Sequence, residues 1–173
     1  MSVNIYGVGV INEQDLLIEN FAKLPIDGLY KYKTRGVESI IKGFEFNLNY
    51  HYENFKIVYD FSLVRGYNLT DKQPLSYMNP IKQILNFEFQ NKLMDYNIRL
   101  SKVHSQDKLG EFETYTPSSF LVDFIIGFSK NSQSITVQFN NILNEEYYNH
   151  LSKIKSIMPE AGRNIVLNYK VFF

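Results

Sequence analysis

The segment that decides the fold is NIVLNYKVFF, which spans residues 164–173. Every second position in it is apolar, and the residues between them are mostly polar. The apolar row consists of Ile165, Leu167, Tyr169, Val171 and Phe173. A repeat of two residues is typical of a β-strand with two different faces, whereas an amphipathic helix repeats every ~3.6 residues. The segment therefore predicts a strand with one apolar face.

The same alternation recurs along most of the chain. It is weak in residues 3–10 and 96–102 and clear in the remaining segments. The clear ones are residues 44–52, 55–64, 85–90, 120–129 and 135–140. An all-β chain with about eight antiparallel strands is therefore expected. Residues 16–24 alone suggest a short helix, placed in a loop.

The connections between the predicted strands alternate in length. Short polar turns are expected at residues 53–54, 91–95 and 130–133. Long connections are expected at residues 12–28, 67–80, 103–118 and 141–162. Transmembrane barrels have short turns at one rim and long loops at the other, whereas connections in a soluble β-sandwich are more uniform. The order predicts an antiparallel up-and-down meander that is part of a transmembrane β-barrel, or a small barrel by itself.

The chemistry of the two predicted faces also favours a membrane barrel. A soluble sheet or lipocalin-like barrel with one buried face would show the same alternation. The apolar rows, however, are rich in Phe and Tyr, and aromatic residues make up 16% of the chain. Aromatic residues flank the strands as they do at membrane interfaces, and the opposite rows are polar enough for a water-filled lumen. Phe173 ends the chain on the apolar row, which suits a membrane interface better than a buried core.

Composition and charge exclude several functional classes. The 173 residues suffice for one domain, and 18 basic residues balance 18 acidic ones, so no nucleic-acid partner is expected. The chain has no Cys, and His51, His104 and His150 lack metal-ligand spacing, so neither a metal site nor a cofactor is expected. Residues 5–11, the longest apolar stretch, are too short for a membrane helix. The N-terminus has no features of a signal peptide.

Catalysis is also not expected. Some outer-membrane barrels are hydrolases with catalytic residues at the barrel rim. The candidate pairs for such a site in this chain are Asp107 with His104 and Ser152 with His150. Neither Ser152 nor Asp107 lies in a nucleophile elbow, and proximity in sequence does not create a catalytic triad. No catalytic residue is therefore predicted, and the chain is interpreted as a protein other than an enzyme.

Four motifs, spread in order over most of residues 30–173, resemble those of TonB-dependent outer-membrane receptors. Residues 137–151, VQFNNILNEEYYNHL, resemble the penultimate barrel strand of that family and the segment after it. Residues 159–164, PEAGRN, followed by the alternating run to Phe173, are similar to its final strand. The shorter motifs GFE at 43–45 and PLSYMNP at 74–80 fit the same order, although the family often has Pro where this chain has Asn79.

The resemblance implies a role in energised uptake of siderophore-iron or another scarce nutrient across the outer membrane. These receptors are barrels of about 22 strands with an N-terminal plug. Residues 1–173 would form one domain, the C-terminal part of such a barrel, without a plug and without transport competence alone. The implied partners are outer-membrane lipid, the barrel-assembly machinery, the remaining strands and plug, and TonB through that plug. A self-standing eight-stranded barrel and a soluble β-barrel binding module remain as alternatives.

The resemblance also singles out residues for barrel structure and assembly. They are Gly43, Glu45, Asn141, Tyr147, His150, Gly162, Arg163, Asn164 and Phe173. Phe173 resembles the terminal signal for barrel assembly, and it also suits a lipid-facing anchor. Arg163 is expected to pair with an acidic lumen residue and fix the strand register; ligand contact is the alternative. His150 is expected to pack as a polar residue within its loop; binding of a metal or ligand is the alternative.

Local chemistry adds expectations for neighbouring residues. Gly162 is expected to provide a permissive backbone where a long loop returns to the sheet. Asn140 and Asn141 are expected to hydrogen-bond the backbone of the next loop. Glu45 and Glu88, on the inferred lumen side, are expected to be solvated or to pair with cations such as Lys56 or Arg99. The substrate itself cannot be inferred from these residues.

Overall fold

A computed structural model describes residues 2–19 and 31–172, with side chains from residue 36 onward. The described residues form an all-β chain. Its strands are β1 (Ser2–Glu19), β2 (Lys31–Tyr52), β3 (Phe55–Asn68), β4 (Gln73–Pro74), β5 (Lys82–Gln90), β6 (Met94–Val103), β7 (Ser119–Lys130), β8 (Gln133–Asn140) and β9 (Asn164–Val171). In this part of the chain, no helix is long and apolar enough to cross a membrane.

The strands form a single antiparallel sheet in which neighbours in sequence are neighbours in space. The order is β1-β2-β3-β5-β6-β7-β8-β9, and the two-residue strand β4 pairs only with the end of β3. The sheet is open, with β1 and β9 at its edges. The predicted up-and-down meander of about eight strands is therefore confirmed.

The N-terminal part of the sheet corrects two predictions. β1 continues to Glu19, which pairs with Lys31 of β2, so residues 16–19 are strand and not helix. Residues 20–24, the rest of the predicted helix, lie outside the described residues. The long hairpin explains the difference, because cross-strand pairing overrides the weak local preference of a short segment. Residues 12–19, the first part of the connection predicted at 12–28, are likewise strand, and residues 20–28 lie outside the described residues.

One face of the sheet is a continuous apolar surface. The strand register aligns one apolar residue from each of seven strands, β2, β3 and β5 to β9, in a row across the sheet. This row is Tyr50, Ile57, Phe87, Ile98, Phe124, Phe139 and Ile165. Many side chains on this face are exposed, and Leu167 keeps 68% of its surface accessible. A soluble sheet would bury such a face, whereas here much of it stays accessible.

Aromatic side chains line this face near the short turns. Cross-strand pairing brings Tyr52 opposite Phe55, Phe55 opposite Phe89, and Phe89 opposite Tyr96. The ring centroids of Phe55 and Phe89 lie 4.7 Å apart, and those of Phe89 and Tyr96 lie 6.0 Å apart. A row of aromatic rings at one rim is the arrangement of an interfacial girdle.

The opposite face is polar. Asn86, Arg99, Asp123, Asn140 and Asn164 follow one another across five adjacent strands. Elsewhere on this face, Lys56 Nζ lies 3.2 Å from Glu88 Oε2, which confirms the expected pairing of Glu88. The predicted division of the strands into an apolar and a polar face is thus confirmed.

The predicted alternation of short and long connections is also confirmed from β2 onward. Short turns join β2 to β3, β5 to β6, and β7 to β8. We call residues 69–81 the first long loop, residues 104–118 the second long loop and residues 141–163 the third long loop. Among the described side chains, the most deeply buried ones lie at this end of the sheet. Leu75, Gln106 and His150, one from each loop, are each at most 3% exposed.

Candidate functional site at the long-loop end of the sheet

Gln106 joins the second long loop to the sheet and to the first long loop. Its side chain is fully buried. Arg65 Nη1 of β3 donates to Gln106 Oε1 at 3.0 Å, and Gln106 Nε2 donates to the carbonyl oxygen of Met78 at 2.9 Å. Its backbone forms an isolated antiparallel bridge with Thr116 on the other side of the second long loop. One amide side chain thus fixes the relative position of two loops and β3.

A second group of side chains joins all three long loops, and we call it the loop junction. It consists of Glu113, Thr116, His150 and Lys155. His150 Nε2 lies 3.1 Å from Glu113 Oε1, and His150 Nδ1 lies 2.8 Å from Thr116 Oγ1. The side chain of His150 is fully buried, and that of Glu113 is 3% exposed. The first long loop joins through Tyr77, whose backbone N–H donates to Glu113 Oε1 at 2.6 Å.

The contacts of His150 define its tautomer. Lys155 Nζ lies 3.1 Å from His150 Nδ1 and also donates to Thr116 Oγ1 at 2.7 Å. An ammonium group can only donate, so Nδ1 is the acceptor and the ring proton is on Nε2. The Nε2–H group then donates to the Glu113 carboxylate. His150 is therefore a neutral imidazole with hydrogen-bond partners on both nitrogens.

Burial also keeps His150 neutral. Desolvation lowers the pKa of His150 below its usual range, the charge of Lys155 lowers it further, and Glu113 offsets part of the effect. Burial lowers the pKa of the Lys155 ammonium as well, again with an opposing contribution from Glu113. The loop junction thus contains one cation and one anion on opposite sides of an uncharged ring.

A cavity of about 530 Å³ lies where the third long loop meets the polar face of the sheet. Its walls include Lys82, Arg99, Asp123, Tyr147, His150 and Glu160. In the described part of the chain, no carboxylate lies within ion-pair distance of Lys82 or Arg99. The cavity therefore offers cations, carboxylates and phenol groups to a polar ligand.

Tyr147 is the aromatic group of this cavity that the sequence motif singled out. Burial raises the pKa of the Tyr147 phenol, and the nearby carboxylates of Glu160 and Asp123 raise it further. The phenol therefore stays protonated at neutral pH and can donate a hydrogen bond. Tyr147 is three residues from His150, so the loop junction holds the segment that carries it.

Asn141 behaves as the sequence predicts, whereas Asn140 does not. Asn141 is 3% exposed and adopts φ 50°, a left-handed conformation that Asn tolerates better than most residues. Its amide donates to the carbonyl oxygen of Glu145 and accepts from the Glu145 N–H, each at 2.9 Å. Asn140 Nδ2 instead donates to the side chain of Asn164 at 2.9 Å, because it lies inside a strand pair and not in the loop.

Gly162 has a different role from the predicted one. Its φ lies outside the left-handed region, so conformational freedom does not explain the residue. A Cβ at this position would lie 3.3 Å from Asn144 Oδ1, so glycine leaves room for that oxygen. Asn144 Oδ1 in turn accepts from the Arg163 N–H at 3.1 Å. Gly162 therefore permits a close approach between the two ends of the third long loop.

The remaining predicted site residues are dispersed. Arg163 has no ion-pair partner among the described residues, and its contact with ligand stays a prediction. Gly43 and Glu45 lie within β2, opposite Val64 and Ser62, and take no part in the loop contacts. Phe173 lies outside the described residues. In the region with described side chains, no group of three or more His, Cys, Asp or Glu is arranged to hold a metal ion.

Several residues of the site carry no sequence signal. Gln106, Glu113 and Thr116 lie in the second long loop and Lys155 lies in the third, and neither loop has a periodic pattern. Only the three-dimensional arrangement of the loops brings them together. The sequence motifs at residues 74–80, 137–151 and 159–164 pointed to this end of the sheet, but not to these four residues.

Comparison with solved structures identifies the architecture. The chain matches the copper transporter OprC with a TM-score of 0.78 and 15% identity over 83% of this chain. It matches the pyoverdine outer membrane receptor FpvA from Pseudomonas aeruginosa PAO1 with a TM-score of 0.68 and 15% identity over 94% of this chain. It matches a structure of the Pseudomonas aeruginosa ferripyoverdine receptor with a TM-score of 0.67 and 13% identity over 98% of this chain. The chain spans about a quarter of the length of these structures.

The fold is therefore that of a segment of an outer-membrane receptor barrel. The resemblance to TonB-dependent receptors that the C-terminal motifs indicated is confirmed at the level of the fold. No protein-family model matches the chain. No curated protein matches it in sequence either.

Proposed function

We propose that the chain is the C-terminal barrel segment of a TonB-dependent receptor that takes up siderophore-iron or another scarce nutrient across the outer membrane. The main support for this proposal is the open meander with an exposed apolar face. Its fold matches about a quarter of the length of each of the outer-membrane structures compared. The chain supplies barrel wall and long loops. A plug and further strands complete the receptor, and energy reaches it from TonB through that plug.

The cavity at the third long loop supports a role along the ligand path. It opens on the polar face of the sheet, which is the lumen side in this proposal. Arg99 and Lys82 provide positive charge there, and Tyr147 provides a hydrogen-bond donor. A ligand entering from the long-loop rim would meet these groups before reaching the plug.

The two edge strands support the proposal that this chain forms only part of a barrel. β1 and β9 have partners on one side only, among the described residues. Exposed strand edges favour pairing with further strands or aggregation. The remaining strands of the receptor would satisfy both edges, and assembly would use the machinery that reads Phe173.

Cysteine labelling in intact cells tests membrane topology. The chain has no native Cys, so single substitutions can be labelled without background. Met158→Cys is in the third long loop, where Met158 is 63% exposed, and Lys92→Cys is in a short turn. A membrane-impermeant maleimide should label M158C in intact cells and K92C only after permeabilisation. Equal labelling of both variants in intact cells, or of neither, would contradict the proposed orientation.

Uptake measurements test the transported substrate. Iron-starved cells would be compared with and without the gene for this chain, with radioactive ferric iron bound to the cells' own siderophores. We expect iron accumulation to fall in the deletion strain and to fall partly in Arg99→Gln. Normal iron uptake in the deletion strain would exclude iron as the substrate, and the same comparison would then be made with labelled copper.

A further inference from the structure

We propose that His150 is a titratable positioning residue: as a neutral ring it holds the three long loops together around the cavity, and its protonation releases them. This inference concerns the loop structure. It can be tested whether or not the chain takes part in uptake.

The geometry makes His150 the central contact of the loops. Its Nε2 contacts Glu113 of the second long loop, and Glu113 in turn accepts the N–H groups of Tyr77 and Gly110 at 2.6 and 2.7 Å. Its Nδ1 contacts Thr116 and the Lys155 ammonium. Loss of the ring contacts would therefore weaken the link between the third long loop and the other two, leaving the hydrogen bonds from Lys155 Nζ to Thr116 Oγ1 and to the Thr114 carbonyl oxygen.

The charges around the ring explain why protonation opposes this arrangement. Glu113 and Lys155 are the charged groups that contact the imidazole. A protonated ring would place a second proton on Nδ1, directed at an ammonium group 3.1 Å away. It would also need Thr116 to turn its hydroxyl hydrogen away. Attraction to Glu113 offsets only part of this cost, because a fully buried ring loses its hydration.

The direction of the pH effect follows from linkage. Desolvation lowers the pKa of His150 in the closed loops below 6.5, whereas an open loop restores the ordinary value. Protons therefore bind the open state preferentially, and closure weakens as pH falls below about 6.5. Between pH 7.5 and pH 5.0 the opening equilibrium should rise by at most about 30-fold.

Hydrogen exchange measured by mass spectrometry tests the inference. The full chain in detergent micelles would be compared at pH 7.5 and pH 5.0, after correction for the intrinsic exchange rate. We expect opening to increase at pH 5.0 in peptides from the second and third long loops and to stay constant in β5 and β6. Absence of a pH effect confined to the loops would overturn the proposal.

The variant His150→Gln distinguishes the titration of the ring from its role in hydrogen bonding. The Gln amide oxygen can accept where Nδ1 accepts, and the amide nitrogen can donate to Glu113, but the group does not titrate. We expect H150Q to keep the loops protected at both pH values, and the control His51→Gln, at an exposed position, to retain the wild-type pH response. The proposal fails if H150Q shows the same pH response as the wild type.

A measurement on the unmodified chain does not depend on any variant. The ¹⁵N chemical shifts of the His150 ring report its tautomer and its titration. We expect the Nε2–H tautomer at pH 7.5 and a titration midpoint below 6.5. The opposite tautomer, or a midpoint at or above 6.5, would overturn the proposal.

Discussion

Replacement of Asn141 tests how a single amide closes the third long loop. The Asn141 side chain forms two hydrogen bonds with the backbone of Glu145, each at 2.9 Å, and its backbone has φ 50°. Each neutral hydrogen bond stabilises by about 1 kcal/mol. A side chain such as Ala costs about 1 kcal/mol more in the left-handed region, which glycine adopts freely. Asn141→Ala should therefore destabilise the closed loop by about 3 kcal/mol, and Asn141→Gly by about 2 kcal/mol.

Native-state hydrogen exchange of the chain in detergent micelles measures this effect. A loss of about 3 kcal/mol corresponds to exchange about 100-fold faster in the third long loop of Asn141→Ala. Asn131→Ala is the matched control, because Asn131 also has a left-handed φ, of 54°, but lies in the short turn between β7 and β8. It should leave exchange in the third long loop unchanged.

Two results would refute this reasoning. Equal exchange rates in Asn141→Ala and Asn141→Gly would show that backbone conformation contributes nothing. A change below about 0.5 kcal/mol in both variants would show that the amide hydrogen bonds do not hold the loop.

Two further predictions concern the loops and the outer face. A Cβ on Gly110 would lie 2.5 Å from the backbone nitrogen of Ser76, so Gly110→Ala should force the first two long loops apart and lower stability by about 2 kcal/mol in denaturant titrations. Gly36→Ala, where a Cβ meets nothing within 4 Å, is the control, and equal stability of the two variants would contradict the prediction. Phe87→Lys should reduce folding into lipid vesicles by about 2–4 kcal/mol, because Lys is costly on a lipid-facing strand. Its neighbour Asn86→Lys, on the polar face, should fold normally, and similar losses in both variants would show that the apolar face does not contact lipid.

The strands were predictable because their alternation is a local property of the sequence. Every second position is apolar in residues 120–128 and in residues 165–171, and both segments lie in strands of the predicted type. Residues 16–19 were predicted wrongly, since their strand conformation depends on pairing with residues 31–34 of β2. The sequence of a short segment does not by itself indicate which distant residues it will pair with.

The site was less predictable for a related reason. The motif pointed to His150 and Tyr147, but not to what surrounds them. Glu113 lies 37 residues from His150 in sequence, and the two meet only because the second and third long loops fold toward each other. Gly162 shows the same limit, since its role depends on an oxygen of Asn144 and not on its own φ. Local rules describe strands and turns, whereas contacts between loops depend on the whole sheet.

The distribution of burial explains why these polar loop contacts matter. The sheet is apolar on one side and polar on the other, and among the described residues Val37, Val58 and Leu75 are the only buried hydrophobic ones. Leu75 is the one of these three that belongs to a long loop, so burial of hydrophobic side chains contributes little to the shape of the long-loop end. Hydrogen bonds of Gln106 and His150, both nearly inaccessible to water, must define it instead. Hydrogen bonds are directional, and a buried polar group without a partner is costly. Replacing Gln106 or His150 alone should therefore change the shape of the cavity more than replacing several residues on the faces of the sheet.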